Sequence, residues 1–325
     1  MKSLPTFLLT LAVALSALTA AAADKKVVLI AGRPSHPPGQ HEHRAGCLLL
    51  QQCLAGTPGI KVVVYDNGWP SKQVDGKAVD DHALLDDADA IVIYSDGEGG
   101  HPATVRDHAE VLTKLVKKGV GIGCLHYAVE PTLAKGHKEL LEWIGGAFES
   151  HWSVNPHWLA DFKQLPAHAV TSGVKPFATT DEWYFNLRFR EGMKGVSPIL
   201  TAVPGDDTMK RKDGPHEGNP AVRAMVAARQ PQHVMWVAER EDGGRGFGFT
   251  GGHFHAGWKN DDQRKLILNS ILWVAKVEVP KDGVASVVTE ADLAANLDVK
   301  RPRVAPPESA ATAAPASSSV PAPKT

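Results

Sequence analysis

Short apolar runs alternate with amphipathic segments along the first half of the chain. The runs lie at residues 26–31, 61–65, 90–94 and 120–125, and helical segments are predicted at 43–54, 80–87 and 103–118. A strand in a sheet covered by helices on both sides is buried on both faces, so its sequence is a nearly continuous run of apolar residues. The β-α-β-β-α-β order therefore predicts an α/β fold with a mostly parallel sheet between two layers of helices.

The second half of the chain is less regular. It predicts strands at 158–162, 181–189, 199–203 and 233–239, and a glycine-rich strand or turn at 244–252. Residues 205–220 are charged and glycine-rich, which predicts an exposed loop. Because an amphipathic helix at 261–276 is expected to close the domain, we place the folded domain at residues 24–279.

Both ends of the chain have compositions that differ from the domain. Residues 1–23 resemble a Sec-type signal peptide, with Lys2, an apolar stretch at 7–18 and then small residues. That stretch is short for a membrane span, so we expect a periplasmic or secreted protein without a membrane anchor once the signal is removed. A C-terminal extension follows at 280–301. The Pro-, Ala- and Ser-rich residues 302–325 predict a disordered tail.

The overall composition suits a globular protein and excludes some partners. The 325 residues are 43% hydrophobic and carry a net charge of −1, so nothing in the charge favours nucleic acid. Cys47 and Cys53 fall on one predicted helix, about 9 Å apart along its axis, beyond disulfide reach. With Cys124 inside a strand, we expect three free, buried cysteines. The sequence leaves the oligomeric state open.

Histidines and acids follow the predicted strands where each strand ends. The first strand is followed by His36, His41 and His43, the third by Asp96, Glu98 and His101, and the fourth by His126, Tyr127 and Glu130. Ligands bind at the carboxyl edge of such sheets, so we expect these loops and His253 to surround one crevice. His126 is the first polar residue after the central strand and the leading candidate for chemistry. A capping or core histidine is the alternative.

Two His-x-His pairs point to a metal. In an extended segment, residues two apart share a face, so His253 with His255, and His41 with His43, can each direct two imidazoles at one ion. We predict a divalent metal such as zinc, with His41, His43 and His255 as ligands. The alternative is a polar rim that binds water or sugar.

Residues 181–184 place a carboxylate beside two aromatic side chains. Trp183 and Tyr184 can stack on sugar rings, and Glu182 in an apolar setting would have a raised pKa suited to a general acid. The alternative is an ordinary strand with a surface acid. The glycines at 244–252 lack the pattern of a nucleotide-binding loop. Cys124 should lie buried beneath His126, which argues against a cysteine nucleophile.

Several of these segments together resemble the trehalose-utilisation (ThuA-like) family, and most of all its exported members. They are KVVLIAGRPSHPPGQHEHRAG, SDGEGGHP, GVGIGCLHYAVE, WSVNPHW, DEWYFNLRF and GRGFGFTGGHFHAGW. The resemblance implies a flavodoxin-like fold similar to class I glutamine amidotransferases. It places His126 where amidotransferases carry their cysteine, and it matches Glu182 and His253 to family motifs. It also implies carbohydrate metabolism, often beside oxidoreductases that make 3-keto-sugars.

We therefore expect a hydrolase or a lyase/isomerase that acts on a small carbohydrate, either trehalose or a 3-keto-glycoside. His126, Glu182 and His253 are the expected catalytic residues. The expected substrate contacts are His101, Tyr127, Glu130, His157, Trp183 and Tyr184. A non-catalytic sugar-binding protein that uses its tryptophans is the first alternative. An amidotransferase-like enzyme is the second, and the missing elbow cysteine disfavours it.

Overall fold

A seven-stranded sheet forms the centre of the protein in the computed structural model, which describes residues 23–300. The strands are β1 (Lys25–Ala31), β2 (Ile60–Tyr65), β3 (Ser71–Val74), β4 (Lys77–Asp80), β5 (Ala90–Tyr94), β6 (Gly121–Leu125), β7 (Gly146–Ala147), β8 (Trp158–Phe162), β9 (Phe177–Asp181), β10 (Arg188–Phe189), β11 (Val196–Ala202), β12 (Gln232–Glu239) and β13 (Arg245–Phe249). The helices are α1 (His43–Leu54), α2 (His108–Lys117), α3 (His137–Trp143), α4 (Pro220–Ala227), α5 (Asp261–Val274) and α6 (Glu290–Ala294).

The order of strands confirms the predicted fold class. The sheet runs β11-β12-β13-β6-β5-β1-β2, and the five strands from β13 to β2 are parallel. Numbered among themselves, these five have the order 2-1-3-4-5, which is the flavodoxin-like arrangement. In this sheet, β12 is the one strand that runs in the opposite direction, so it pairs antiparallel with both of its neighbours, β11 and β13. The remaining strands form small two-stranded pairs outside it.

Two hydrophobic cores lie on opposite faces of the sheet. Alternate side chains of a strand point to opposite faces. Leu29 of β1 therefore packs with α1 and α5 in one core, whereas Ile30 packs with α2 and α3 in the other. All five residues of β5 and of β6 are buried. This double covering explains why the apolar runs located these strands correctly.

Some predicted elements of the fold are wrong. The segment 80–87 is not a helix, because β4 ends at Asp80 and only a short 3-10 turn follows at His82–Leu85. The segment 181–189 is not one strand, because β9 ends at Asp181. By contrast, the predicted loop 205–220 is irregular apart from one 3-10 turn at Asp206–Met209, where Thr208 and Met209 are buried, and it ends at α4, which begins with an Asn219 cap.

The C-terminal extension folds back onto the domain. After α6 the chain returns to the start of α1, where the Lys300 ammonium lies 3.1 Å from Glu42 Oε1. The backbone N–H of Asp298 donates to Glu42 Oε2 at 2.9 Å, and Lys300 also donates to the Gln40 carbonyl. The extension thus ties down the segment that carries His41. The signal-peptide prediction lies outside the described residues except for residue 23, and the tail prediction lies wholly outside them.

The three cysteines are free, as predicted. Cys47 lies buried on α1 and Cys124 buried in β6, and burial raises the pKa of both thiols. Cys53 is only half-buried, which corrects the expectation that all three are buried. Among residues 23–300, no helix combines the length and the apolar character that crossing a membrane requires.

His101 has a structural environment, which corrects its prediction as a substrate contact. Its ring is fully buried. The Ala103 backbone N–H donates to His101 Nδ1 at 3.0 Å, and His101 Nε2 lies 2.8 Å from the Ala128 carbonyl, to which its N–H donates. Both ring nitrogens are therefore occupied by backbone groups, and only one neutral tautomer fits. Burial lowers the pKa of His101 from 6.5 to about 4.

This environment predicts an acid sensitivity of folding. Between pH 6.5 and 4 the unfolded chain binds a proton at His101 that the folded chain does not. The free energy of unfolding is therefore unaffected by His101 above pH 6.5 and decreases as the pH falls from 6.5 to 4. The slope contributed by one such group is at most about 1.4 kcal/mol per pH unit. Denaturant unfolding at pH 7 and pH 5 should show a smaller pH-dependent loss in His101→Gln than in the wild type.

The variant has its own cost at neutral pH, because it disturbs two buried hydrogen bonds worth about 1–3 kcal/mol if left unsatisfied. The comparison therefore uses the change between the two pH values within each protein. Equal changes in the wild type and in His101→Gln would contradict this account of the ring.

Candidate functional site

His126 leaves the central strand at a sharp turn. It directly follows β6, is fully buried, and has a φ of 55°, in the left-handed region that residues with a side chain seldom occupy. Its Nδ1 lies 2.8 Å from the carbonyl oxygen of Thr250, next to the end of β13. A carbonyl only accepts, so Nδ1 carries the hydrogen. This bond directs Nε2 toward the neighbouring loops, where it lies 3.1 Å from His41 Nε2.

His41 comes from the loop after β1 and meets residues from two other strand ends. Its Nδ1 lies 2.7 Å from Asp96 Oδ1, just beyond β5, so its N–H donates to that carboxylate. Its Nε2 lies 2.9 Å from His253 Nδ1, and its backbone N–H donates to the His253 carbonyl at 2.9 Å. The ring is 1% exposed. The ends of β1 and β5 meet where the strand order reverses, which is where sheets of this type bind ligands.

Asp181 and Glu182 attach a fourth segment to this edge. The fully buried Asp181 carboxylate accepts backbone N–H groups from Gly252 at 2.8 Å and from His253 at 3.0 Å. The next residue, Glu182, places Oε2 at 3.1 Å from His253 Nδ1 and 3.4 Å from His126 Nε2. The end of β9 therefore orients both a catalytic candidate and the loop that holds another.

Four ligand-type atoms converge as a result. His41 Nε2, His126 Nε2, His253 Nδ1 and Glu182 Oε2 all lie within 4.8 Å of one another, and we name these four residues the histidine–glutamate cluster. The histidines are almost fully buried, whereas the Glu182 side chain is 14% exposed. These side chains are able to hold a metal ion or to exchange protons with a substrate that reaches Glu182.

The charges within the cluster reverse one expectation. Burial raises the pKa of Glu182, but hydrogen bonds and charge from His126 and His253 outweigh burial, so the pKa lies well below its ordinary value. The prediction of a raised pKa was therefore wrong, because it considered only the apolar neighbours. Burial lowers the pKa of His126, yet Glu182 raises it overall. Burial and the charge of His126 hold the pKa of His41 far below its ordinary value.

A crevice of about 550 Å³ opens above Glu182 and is lined mostly by polar side chains. Asn155 donates to Glu182 Oε1 at 3.1 Å, and His157, which is 49% exposed, has Nε2 at 3.7 Å from the same oxygen. Arg211 donates to Asn155 Oδ1 at 3.2 Å. Asn155 and Arg211 were not predicted, since the loops that bring them here have no periodic pattern to place them.

Three more predicted contacts, Glu130, Tyr127 and Tyr184, lie beside the crevice or the cluster. His216, also unpredicted, lines it and donates through Nε2 to the buried Glu130 at 2.5 Å. Burial raises the pKa of Glu130 despite this bond. Tyr127 donates its hydroxyl to Glu98 at 3.0 Å, with its ring 5.9 Å from that of His41. Tyr184 is buried next to the cluster, with its hydroxyl 3.3 Å from Glu182 Oε2.

Three other predicted site residues contribute no atom to the cluster and do not line the crevice. His43 begins α1, and its Nε2 lies 3.7 Å from Asp96 rather than at the cluster. His255 begins a 3-10 turn, and neither of its buried ring nitrogens joins the other three histidines. Trp183 is fully buried between Phe162 and Phe249, so it has no face for a sugar. Of the predicted metal ligands, only His41 is therefore part of the cluster, together with His126, His253 and Glu182.

Comparison with known proteins agrees with this architecture. A putative ThuA-like protein from Bacteroides uniformis is 14% identical, with a TM-score of 0.53 over 80% of this chain and 94% of that one. A second from Parabacteroides merdae is 16% identical, with a TM-score of 0.52 over 83% of this chain and 99% of that one. At such identities the likeness shows the fold alone. No curated protein matches the chain. The family model described as trehalose utilisation matches residues 40–274, more than half of the chain, and the chain therefore belongs to the ThuA family.

Proposed function

We propose that this protein is an enzyme of carbohydrate utilisation that acts on a small sugar as a hydrolase or a lyase/isomerase. Trehalose and 3-keto-glycosides are the substrates that its family membership suggests. The observation that carries the proposal is the meeting of His126, His253 and Glu182 beneath a polar crevice. An acid and a base held within hydrogen-bond reach of each other are what proton transfer to and from a sugar requires.

The two charged partners have complementary roles. The lowered pKa of Glu182 keeps it ionised, and it is the cluster member that lines the crevice, so it is the carboxylate that accepts a hydrogen bond or a proton from a substrate. His126 lies 3.4 Å behind it with a raised pKa and stabilises that charge. A 3-keto-sugar has an acidified proton next to its carbonyl group, and a positioned carboxylate is suited to removing it.

Two observations favour this enzyme over the alternatives. A sugar-binding protein that uses Trp152, Trp158, Trp183 and Trp258 would need exposed aromatic faces. Three of these rings are buried, and the half-buried Trp152 ring is covered by the Arg188 guanidinium at 3.8 Å. An amidotransferase-like enzyme would need an exposed thiolate at the end of β6, but the thiol of Cys124 is fully buried and its pKa is raised.

The activity of two variants tests the proposal. His126→Ala and Glu182→Gln should each lower turnover of a 3-keto-glycoside about 10²–10⁴-fold, the usual contribution of a positioned acid or base. Because the two residues act as one unit, the double variant should be little worse than the poorer single one. Exposed residues outside the crevice, changed as His151→Ala and Glu110→Gln, provide matched controls that should retain wild-type rates.

Melting temperatures and sugar binding are measured in parallel, so that loss of fold is separated from loss of chemistry. Turnover that survives both substitutions within a few-fold would remove the case for this site. A wild type that binds the sugar tightly without any turnover would replace the proposal with a non-catalytic sugar-binding function.

We further propose export, with function in the periplasm or outside the cell. The support is the order of positive, apolar and small residues within residues 1–23, followed by β1 from Lys25. Mass spectrometry of the protein made in its own host should find a mature chain that starts between Ala22 and Lys25. A folded protein that retains Met1 would contradict export by signal cleavage.

A further inference from the structure

We infer that the histidine–glutamate cluster binds one divalent transition-metal ion of the zinc type. The ligands are His41 Nε2, His126 Nε2, His253 Nδ1 and Glu182 Oε2. The inference deepens the proposed function because it uses the same site, but its test measures metal affinity, so failure of the metal site and failure of the sugar chemistry can be told apart.

The spacing of the four atoms fits a tetrahedral ion. Around zinc, bonds of about 2.0–2.1 Å place neighbouring ligand atoms about 3.3 Å apart. In the cluster, the two contacts of His41 Nε2 with the other histidines measure 2.9 and 3.1 Å. The two contacts of Glu182 Oε2 with histidine nitrogens measure 3.1 and 3.4 Å. The other two of the six separations, His41–Glu182 and His126–His253, are at most 4.8 Å. Binding would therefore require the side chains to move inward along these two directions, and four of the six separations already match those around zinc.

The acceptors at both Nδ1 atoms favour a cation at the centre of the cluster. His41 and His126 both use Nδ1–H to donate, to the Asp96 carboxylate and to the Thr250 carbonyl. When both rings are neutral, the two Nε2 atoms are lone pairs that face each other at 3.1 Å, and a cation between them, either a proton on His126 or a metal ion, relieves this repulsion. A proton added to one Nε2 would satisfy a single pair of atoms. One metal ion at the centre would accept a lone pair from all four ligand atoms at once.

The surroundings orient the ligands as in metal sites. Metal-binding histidines usually donate their other N–H to a carboxylate or a backbone carbonyl, which fixes the tautomer and the ring. Asp96 does this for His41, and the Thr250 carbonyl does it for His126. Asp181 fixes the backbone of His253, and Asn155 holds the second oxygen of Glu182.

The ligand types select the class of metal. Three imidazole nitrogens and one carboxylate oxygen suit zinc and neighbouring transition metals, whereas magnesium and calcium prefer oxygen. Glu182 lines the crevice, so an ion held here would have one side facing the substrate space. A competing set, His36 with His41 Nδ1 and Asp96, would need the nitrogen that His41 already uses as a donor to Asp96.

Zinc titration of the full chain tests the inference. The protein is first treated with EDTA and dialysed, and zinc binding is then measured by calorimetry and elemental analysis. We expect one zinc per wild-type chain and a rise in melting temperature with zinc, since the ion binds only the folded cluster. Loss of an orienting partner usually weakens metal binding about 10–100-fold, which we expect for Asp96→Asn. Loss of a ligand in Glu182→Gln or His253→Ala should cost at least about 100-fold.

His36→Ala is the matched control, because it removes the neighbouring histidine that lies outside the ligand set, and it should keep wild-type affinity. Circular dichroism confirms folding, and the nearly isosteric Glu182→Gln keeps the test valid if the alanine variant does not fold. A wild type that takes up no zinc would overturn the inference. So would uptake unaffected by Glu182→Gln, or uptake abolished by His36→Ala. Zinc binding without sugar turnover would refute only the proposed function.

Discussion

The buried carboxylate of Asp181 is the interaction on which the site depends. It accepts three backbone N–H groups, from Glu182, Gly252 and His253, at 2.8 to 3.0 Å. A buried carboxylate costs several kcal/mol unless it is satisfied, so this group holds its donors firmly. Through these bonds the end of β9, which lies outside the main sheet, is fastened to the loop after β13. Glu182 and His253 thereby face His41 and His126, which lie in the segments that follow the parallel strands β1 and β6.

The site concentrates conformations and charges that a stable fold would otherwise avoid. His41 and His126 both have positive φ angles, and their rings lie close together with almost no contact with water. Each such backbone conformation costs on the order of 1–3 kcal/mol and persists only where the surroundings fix it. The doubly covered sheet, the Asp181 bonds and the returned C-terminal extension are those surroundings. Together they hold the buried histidines in place, and this costly arrangement is one reason to propose a function for the cluster.

The sequence predicts those parts of the fold and of the site that lie on regular patterns of apolar and polar residues, and it does not place residues on irregular loops. Four of the five parallel strands are predictable because each lies on a continuous apolar run, and His126 is predictable as the first polar residue after one of them. The glycine-rich β13 has no such run, so the sequence predicts only a strand or turn there. His43 and His255 were wrongly included because the His-x-His argument assumes extended backbone, whereas one begins α1 and the other a 3-10 turn. Trp183 was misplaced for the same reason, since β9 ends two residues earlier. Arg211 and His216 lie on an irregular loop, where no repeating pattern indicates what they contact.

The central claim is that four side chains from four separate segments form one metal centre. Crystals of the zinc-loaded protein, with diffraction recorded at wavelengths on either side of the zinc absorption edge, test it most directly. The account predicts one anomalous peak within about 2.0–2.2 Å of His41 Nε2, His126 Nε2, His253 Nδ1 and Glu182 Oε2. A peak elsewhere on the molecule, or an absence of any peak at the cluster in zinc-loaded crystals, would contradict it.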